Sequence, residues 1–313
     1  MARIAVIIPC FNEEAAVGKV VSDFRRALPS ARVIVCDNNS TDRTVEEALA
    51  AGAEVLCEPR QGKGCALRSM FRDIEADCYI IVDGDDTYPA EAAPDMAKIV
   101  LSGAADMVVG DRLSTTYHSE NKRRFHSLGN RFMKSIINFL FKSELQDIMS
   151  GLRAMSRDFV KMLPVTCRGF EIETEMTLFA LDNNFTIREL PVAYRDRPEG
   201  SVSKLRTYRD GAKVVKTVVM LYRDYYPMHF FGVLAAVLML AAVAAFVPVL
   251  LEYLKTGLVP RFPTLIAAVI LGLSSLLSLF CGLILVSLGK RHRQQFEIMY
   301  NIYRMMEGRH GDR

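Results

Sequence analysis

Two uncharged apolar segments near the C-terminus constrain this chain more than any other feature. Phe230–Leu251 and Pro263–Gly289 contain no Asp, Glu, Lys or Arg. Each is long enough to cross a hydrocarbon core of about 30 Å as a helix, which takes roughly 20 residues. A helix also satisfies its own backbone hydrogen bonds inside lipid. We therefore predict a transmembrane hairpin within residues 229–289; the alternative is a pair of buried core helices.

Basic residues near the two segments predict the orientation of the hairpin. Lys213, Lys216 and Arg223 precede the first segment, and Lys290, Arg291 and Arg293 follow the second. The connecting loop carries only Lys255 and Arg261 against Glu252. Because basic residues favour the cytoplasmic side, we expect a multi-pass plasma-membrane protein with both termini inside.

The remaining composition is that of a cytoplasmic domain. The formal net charge of +3 gives no indication of a nucleic-acid partner. The seven cysteines include no C-x-x-C pair, which favours reduced thiols. The chain begins with a strand pattern rather than a secretory signal. We expect a catalytic domain at 1–209, an amphipathic interfacial helix at 210–228 and a basic, amphipathic cytoplasmic tail at 290–313.

Residues 1–110 alternate short apolar runs with helical patterns, which predicts an α/β fold with a mainly parallel sheet. The predicted strands are Ile4–Pro9, Arg32–Asp37, Ala53–Cys57, Cys78–Asp83, Asp106–Gly110, Gly151–Met155 and Thr186–Tyr194. The predicted helices are Glu14–Leu28, Thr41–Ala51, Gly64–Ala76, Glu91–Leu101 and 127–142. In such sheets ligands bind beyond the carboxyl ends of the strands, which is where the polar residues of this chain gather.

Three carboxylates cluster at the end of the fourth predicted strand, in Val82-Asp83-Gly84-Asp85-Asp86. Neighbouring carboxylates repel, and a bound cation would compensate them. Hard oxygen ligands suit Mg²⁺ or Mn²⁺, which also bridge diphosphate oxygens. The alternative is an acidic turn without a ligand.

Polar motifs also follow the first three predicted strands. Pro9-Cys10-Phe11-Asn12-Glu13 follows the first, and Asp37-Asn38-Asn39-Ser40-Thr41-Asp42 follows the second. The second motif can bind a base or ribose, cap the next helix, or do both. Arg60-Gln61-Gly62-Lys63-Gly64 opens a helix and predicts a diphosphate contact, although a capped turn is equally consistent. It fits neither a Walker A loop nor G-x-G-x-x-G.

Taken together with Arg197-Pro198-Glu199-Gly200-Ser201-Val202-Ser203-Lys204, these motifs resemble glycosyltransferase family 2. Within that family the chain is similar to the polyisoprenyl-phosphate glycosyltransferases, such as dolichyl-phosphate mannose and glucose synthases. The resemblance covers roughly residues 3–210. It implies a Rossmann-like nucleotide-sugar domain of the GT-A type, joined here to the two-helix transmembrane hairpin.

The resemblance also implies roles for individual residues. Nucleotide-sugar binding would fall to Pro9, Phe11, Glu13, Asp37, Asn39, Lys63 and Asp83, and metal binding to Asp83 and Asp85. Asp85, Arg112 and Asp147 would be catalytic, and Arg123, Arg124, Arg197, Ser203 and Lys204 would bind the acceptor phosphate. Mannose synthases often carry Gln at the position of Thr87. The Arg197–Lys204 element also fits a basic membrane-surface patch.

The implied reaction is inverting transfer of a sugar from a UDP- or GDP-linked donor to undecaprenyl or dolichyl phosphate. Mg²⁺ or Mn²⁺ would be the cofactor. Membrane lipids would be a further partner, and association into a homo-oligomer is left open. Asp147 lies where transferases that act on sugar hydroxyls carry a general base, which an anionic phosphate does not need. The alternative is a membrane glycosyltransferase with a glycolipid or polysaccharide acceptor. A processive synthase with a Q-x-x-R-W element is disfavoured because the chain has no tryptophan.

Overall fold

A seven-stranded mixed sheet organises the first of two compact units, Met1–Tyr208 and Arg209–Arg313. The computed structural model describes residues 2–112, 134–169, 171–195, 219–220 and 222–311. The strands are β1 Ile4–Cys10, β2 Arg32–Asp37, β3 Glu54–Cys57, β4 Cys78–Ile81, β5 Met107–Asp111, β6 Arg153–Ser156 and β7 Ile187–Pro191. Their order across the sheet is β3-β2-β1-β4-β6-β5-β7.

The helices of the first unit pack on both faces of this sheet. They are α1 Val17–Ala27, α2 Thr44–Ala50, α3 Lys63–Asp73, α4 Ala93–Leu101, α5 134–141, α6 Arg157–Met162 and α7 Ile172–Asp182. Val6 and Ile8 join the core cluster that includes α1 and α4, whereas Ile7, between them, is equally buried. Because successive strand residues point to opposite faces, both faces of β1 are covered. This explains the uninterrupted apolar runs of the strands.

Strand directions bring the predicted site residues to one edge. All pairings among β1, β2, β3 and β4 are parallel, and β5 is parallel to β7. β6 is antiparallel to both β4 and β5. The carboxyl ends of the other six strands therefore share an edge with the amino end of β6, where Arg153 lies. The predicted mainly parallel α/β sheet is confirmed, with one antiparallel strand that the sequence pattern did not distinguish.

Several element boundaries differ from the sequence prediction, and the differences lie at the functional edge. α1 begins at Val17 rather than Glu14, and β4 ends at Ile81 rather than Asp83. Residues 11–16 and 82–87 are loops whose hydrogen bonds go to neighbouring loops and side chains. Polar loop residues that satisfy one another therefore replaced the regular elements predicted there. The short helix α6 was missed.

Two long apolar helices make up most of the described part of the second unit. α8 Pro227–Thr256 and α9 Phe262–Gly311 reach mean hydropathies of 2.8 and 2.6 in their most apolar windows, long and apolar enough to cross a membrane. Only 17% of each window is buried, which disfavours the alternative of core helices. With 50 residues, α9 is about 75 Å long. The predicted tail is thus a continuation of the second apolar helix.

Small residues and two serines join α8 and α9 into an antiparallel hairpin. Ser275 Oγ donates to Ala235 O (2.7 Å), and Ser278 Oγ donates to Phe231 O (3.0 Å). A Cβ at Gly282 would lie 3.2 Å from Phe231 Cβ. Between apolar helices in lipid, close backbone approach and interhelical hydrogen bonds supply the packing energy.

Replacing Gly282 should therefore loosen the hairpin. We expect Gly282→Ile to lower the free energy of unfolding in detergent by about 1–3 kcal/mol, the usual cost of overpacking. Gly272→Ile is the matched control, because a Cβ at Gly272 meets no atom within 4 Å. Thermal unfolding of both variants measures the difference, and equal destabilisation would contradict close packing at Gly282.

Candidate active site

The turn after β4 carries the carboxylates and lies directly on the end of β1. Ile81 pairs with Ile7, and Asp83-Gly84-Asp85 follow. A Cβ at Gly84 would lie 2.5 Å from Cys10 Sγ, closer than real side chains approach. Glycine is therefore required for this turn to sit against β1. The D-G-D spacing thus has a packing cause that is independent of any ligand.

The three carboxylates of this turn have different surroundings. Asp85 is buried, at 4% exposed, and its Oδ1 accepts a hydrogen bond of 2.6 Å from Thr87 Oγ1. Asp86 adopts a left-handed backbone (φ 58°) and pairs with Lys19 Nζ at 2.7 Å. Asp83 pairs with Lys63 Nζ at 2.5 Å. Asp83 and Asp86 are thus each paired with a lysine, and Asp85 is hydrogen-bonded to Thr87. Asp83 and Asp85 are the candidate ligands because they form the D-x-D pair of the sequence prediction.

Lys63 lies between two carboxylates. Its Nζ also contacts Glu173 Oε1, and the side chains of Lys63 and Glu173 are 7% and 8% exposed. Burial opposes the lysine charge, but the carboxylates of Asp83 and Glu173 outweigh it and raise the pKa of Lys63. Lys63 is therefore protonated at neutral pH and lies between two carboxylate side chains.

The donor atoms present fit a divalent cation that shares its coordination with a substrate. Among the described residues, no group of three or more His, Cys, Asp or Glu side chains is arranged to hold a metal. Mg²⁺ usually binds through one or two carboxylates and completes its shell with water and phosphate oxygens. Asp85, buried and oriented by Thr87, and Asp83 provide such a pair of hard oxygen donors.

The glycines of the 60–64 loop serve backbone packing. A Cβ at Gly62 would overlap Arg168 O, and a Cβ at Gly64 would overlap Cys167 O. The Gly64 N–H donates to Arg168 O (3.1 Å). Arg60, like Lys63, pairs with a carboxylate, that of buried Glu58 (2.7 Å). Both cations that predicted a diphosphate contact therefore have protein carboxylates as partners here.

Asn38 holds the same loop against the end of β2. Its side-chain amide donates to Glu58 O (2.9 Å) and Arg60 O (2.8 Å), and its Oδ1 accepts from the Gly62 N–H (2.6 Å). Asn38 is buried, at 4% exposed. A single amide thus fixes the position of the loop that carries Lys63.

The loops after β1 and β2 interlock beside this turn. The Asn12 N–H donates to Ser40 Oγ (2.9 Å), and Asn12 Oδ1 accepts from the Thr41 N–H (2.8 Å). Asn12 and Asn39 have left-handed backbones, with φ of 52° and 68°. Asp37 is 7% exposed and accepts from the Ser40 N–H (3.2 Å). The structure thus brings together the ends of β1 and β2 and the loops that follow them. These carry residues predicted to bind the nucleotide-sugar, namely Pro9, Phe11, Glu13, Asp37 and Asn39.

Arg112, at the end of β5, is held by the loop that precedes β6. Its Nε lies 2.8 Å from Asp147 Oδ2, its Nη2 donates to Met149 O (3.0 Å), and its Nη1 donates to Tyr88 Oη (3.2 Å). Its Cζ lies 5.6 Å from the centre of the Tyr194 ring. The Asp147 side chain is 1% exposed. The structure therefore pairs two residues predicted to be catalytic with each other.

Gly151 connects the Arg112 cluster to the carboxylate turn. Its N–H donates to Tyr88 Oη (2.9 Å), and a Cβ at this position would overlap the Asp83 carboxylate. Burial raises the pKa of Tyr88, which therefore remains a neutral phenol that can donate as well as accept.

Comparison with known proteins identifies the family of this chain. A family model described as glycosyl transferase family 2 matches residues 5–163. Glycosyltransferase AglJ of Haloferax volcanii is 33% identical over 230 residues, which cover 73% of this chain and 75% of AglJ. The chain belongs to glycosyltransferase family 2.

A second relative and a solved structure are also similar to this family 2 chain. The dolichyl-phosphate hexose transferase of Haloferax volcanii is 30% identical over 216 residues, covering 69% of this chain and 92% of that protein. The crystal structure of glucosyl-3-phosphoglycerate synthase from Mycobacterium tuberculosis superposes with a TM-score of 0.56 and 22% identity, covering 71% of this chain and 80% of that one. That enzyme has also been solved with Mn²⁺ and UDP. The likeness establishes the GT-A type of fold.

The family 2 motifs differ in how far the structure describes them. Arg123, Arg124, Arg197, Ser203 and Lys204, the predicted acceptor-phosphate residues, lie outside the described residues. So does most of the predicted interfacial helix 210–228, in which 219–220, 222–225 and 227–228 are described and helical. Of the remaining predicted site residues, Pro9 and Asp37 lie at the ends of β1 and β2, and Lys63 begins α3. The others lie in loops: Phe11, Glu13, Asn39, Asp83, Asp85, Arg112 and Asp147.

The sequence prediction gave no individual role to four residues that build this site, namely Asn38, Tyr88, Arg153 and Glu173. Arg153 does end Ser150-Gly151-Leu152-Arg153, which resembles the family segment beneath the sugar site. Asn38 lies inside a motif that was recognised, so its neighbours signalled it. Glu173 lies in the acidic run Glu171–Glu175, whose helical spacing favours a solvated helix, although the structure buries Glu173. Tyr88 follows the carboxylate turn without a distinguishing pattern. The partners of Asn38, Tyr88 and Glu173 lie 20, 24 and 110 positions away in the sequence.

Replacing Gly151 should displace the Asp83 carboxylate. We expect Gly151→Ala to lower transfer at least ~10-fold while the chain still folds, because misplaced reacting groups lose rate steeply. Gly18→Ala is the control, since the nearest atom to its Cβ would be Glu47 O at 3.7 Å. Initial rates with both variants test this. Wild-type rates for folded Gly151→Ala would show that the Asp83 position does not matter.

Proposed function

We propose that this chain transfers a sugar from a nucleoside diphosphate sugar to a polyisoprenyl phosphate and inverts the anomeric configuration. The observation that carries the proposal is that one chain combines the Asp83–Asp85 pair on a glycosyltransferase fold with two helices of membrane length. Similarity to a dolichyl-phosphate hexose transferase supports a lipid phosphate as the acceptor. A sugar acceptor of this kind resides at the membrane surface, which explains why the enzyme would be anchored there.

The donor would bind along the carboxyl edge of the sheet. Asp37 and Phe11, at the ends of β2 and β1, would contact the base and ribose of a UDP- or GDP-sugar. Asp83 and Asp85 would hold Mg²⁺ or Mn²⁺, and UDP with Mn²⁺ in the structurally similar synthase supports this assignment. When bound, the cation would neutralise charge on the diphosphate leaving group.

In the proposed reaction an oxygen of the acceptor phosphate attacks the anomeric carbon. The bond from that carbon to the donor diphosphate breaks, and the nucleoside diphosphate leaves with the electron pair. A phosphate monoester is already ionised near neutral pH, with a second pKa of about 6, so no protein base is needed. Asp147, buried in its ion pair with Arg112, would orient that arginine rather than accept a proton. Arg112 would then stabilise negative charge on phosphate.

We also propose that both ends of the α8–α9 hairpin are cytoplasmic and that its loop is external. Because the helices are antiparallel, Arg223 before α8 lies towards the same end as Lys290 and Arg291. Residues 1–209 would form the cytoplasmic catalytic domain, with 210–228 at the membrane surface.

Cysteine labelling tests this topology. In intact cells, a membrane-impermeant maleimide should label Leu258→Cys in the hairpin loop, where Leu258 is 69% exposed. Cys57, exposed on the first unit, should react only after the cells are opened. Labelling of Cys57 in intact cells would reverse the proposed orientation.

Transfer of a labelled sugar tests the proposed function. The purified full chain in lipid is supplied with UDP- or GDP-linked radioactive sugars and with undecaprenyl or dolichyl phosphate. We expect a product that extracts into organic solvent and releases its sugar in mild acid, as a glycosyl phosphate does. A product that is stable to mild acid, or that forms only on a glycan or diacylglycerol acceptor, would contradict the proposal.

A further inference from the structure

We propose that Arg153 is a positioning residue that sets the loop 147–151, and through it both Arg112 and Asp83. The inference rests on the proposed function, because it assigns a role within the same site. Arg153 itself would contact neither donor nor acceptor. Its effect on the reaction would pass entirely through the backbone that it holds.

The Arg153 guanidinium binds the loop from inside the protein. It is fully buried, at 0% exposed. Its Nη2 donates to Ile148 O (2.6 Å), and its Nε donates to Ser150 O (3.0 Å). These two carbonyls lie two residues apart, so one rigid planar group fixes the course of the loop between them.

A third hydrogen bond ties the loop to helix α7. Arg153 Nη1 donates to Thr177 Oγ1 (2.9 Å), and Thr177 Oγ1 donates to Glu173 O one turn earlier (3.0 Å). Glu173 is the carboxylate that contacts Lys63. Arg153 therefore lies between the two ion-paired groups of the site, Lys63 with its carboxylates and Arg112 with Asp147.

The loop held in this way touches both groups directly. Asp147 and the Met149 carbonyl bind Arg112, and Gly151 lies against the Asp83 carboxylate. In the sheet, Arg153 pairs with Ile81, two residues before Asp83. A shift of this loop would therefore move Arg112 and Asp83 together.

The Arg153 guanidinium is bound by neutral groups rather than by a carboxylate among its described hydrogen-bond partners. Its described hydrogen-bond partners are neutral, namely two carbonyls, a hydroxyl and, at 3.5 Å, the Met107 sulfur. Burial lowers the pKa of Arg153, and the more distant carboxylates of Glu173 and Asp147 oppose this only in part. Burying an ion is costly, and an apolar side chain of similar volume often stabilises a fold as well or better. What an apolar side chain would not supply is the loop conformation.

Arg153→Met tests the role, since it keeps the volume and removes the donors. We expect a folded protein whose kcat for transfer falls at least ~30-fold, because misplacement of about 1 Å can cost 100-fold. Arg153→Lys, which can reach one carbonyl, should recover part of the kcat. Should Arg153→Met not fold, Thr177→Val, which removes one acceptor of the same guanidinium, should give the same kcat loss in smaller measure.

A double-mutant cycle separates positioning from a general loss of structure. Arg112→Lys should cost at least ~10-fold in the wild-type background but at most ~3-fold in the Arg153→Met background, because Arg112 is already misplaced there. Losses that multiply would show that the two arginines act independently.

Lys161→Met is the matched control. Lys161 also donates to two backbone carbonyls, Phe71 O (2.8 Å) and Ile74 O (3.0 Å), and these lie at the C-terminal end of α3. We expect it to lower the melting temperature without changing kcat.

The outcomes distinguish the inference from the proposed function. Wild-type kcat in folded Arg153→Met, or an equal kcat loss in Lys161→Met, would overturn the positioning role alone. Absence of transfer by the wild-type chain to any polyisoprenyl phosphate would overturn the proposed function itself.

Discussion

Replacement of Asp85 by Asn is expected to lower transfer by at least ~100–1,000-fold, the cost typical of removing one group that stabilises charge in a transition state. Asp85 is buried beside Thr87 at the end of β4, and an amide can still accept the Thr87 hydrogen bond but cannot hold a divalent cation as a carboxylate does. The fold should therefore survive while the reaction is lost. Initial rates of labelled-sugar transfer, with thermal unfolding of the same samples, measure both.

A control variant and a chelation experiment test whether the effect depends on a metal ion. Asp95→Asn removes an exposed carboxylate in the first turn of α4 and should leave the rate unchanged. Chelation should inactivate the wild-type enzyme, and added Mg²⁺ or Mn²⁺ should restore it. Full activity of the wild type in excess chelator would exclude the cation role of Asp83 and Asp85.

Replacement of Arg112 by Met should cost both stability and activity. The change leaves the Asp147 carboxylate, 1% exposed, without the ion pair that offsets its burial. Breaking a buried pair from one side costs about 3–5 kcal/mol of unfolding free energy. Denaturant unfolding measures this loss, and the labelled-sugar assay measures the rate, which we expect to fall at least ~100-fold because phosphate charge is no longer stabilised.

The double variant Arg112→Met with Asp147→Asn separates the two effects. It removes both charges, so most of the lost stability should return, whereas transfer should remain at the level of Arg112→Met. If the double variant regains the wild-type rate, Arg112 has only a structural role. If Asp147→Asn alone abolishes transfer while Arg112 stays ordered, the assignment of Asp147 as an orienting group is wrong.

Periodicity of the sequence predicted the architecture well. Continuous apolar runs such as Ile4–Cys10 are visible because a strand covered on both faces needs an apolar residue at every position. Uncharged segments of membrane length are equally easy to recognise in the sequence, because lipid offers no partner to a polar side chain. The antiparallel direction of β6 carries no such signal, since a strand reads the same in either direction.

The roles of the charged residues at the site were harder to predict from the sequence. The sequence assigned Lys63 to a diphosphate and Glu173 to no ligand at all, yet the fold joins them across 110 positions. The glycines at 62 and 64 predicted a phosphate loop, and the structure uses them to admit the backbone of residues 167 and 168. Neither partner can be seen locally, because the contacts arise only when α3 packs against the segment before α7.

The sequence by itself determined the class of this protein: an α/β sheet with its polar residues at the strand ends, an acidic D-G-D turn after β4, and a pair of membrane-length apolar helices. These follow from local chemistry, since the period of apolar residues, the composition of turns and the absence of charge act within a few residues of one another. The tertiary structure alone decided which charges neutralise each other, namely Lys63 with Asp83 and Glu173, Arg112 with Asp147, and Asp86 with Lys19. The physical reason is that the free energy of a buried charge depends on the few ångströms around it, and only the folded chain determines what lies there.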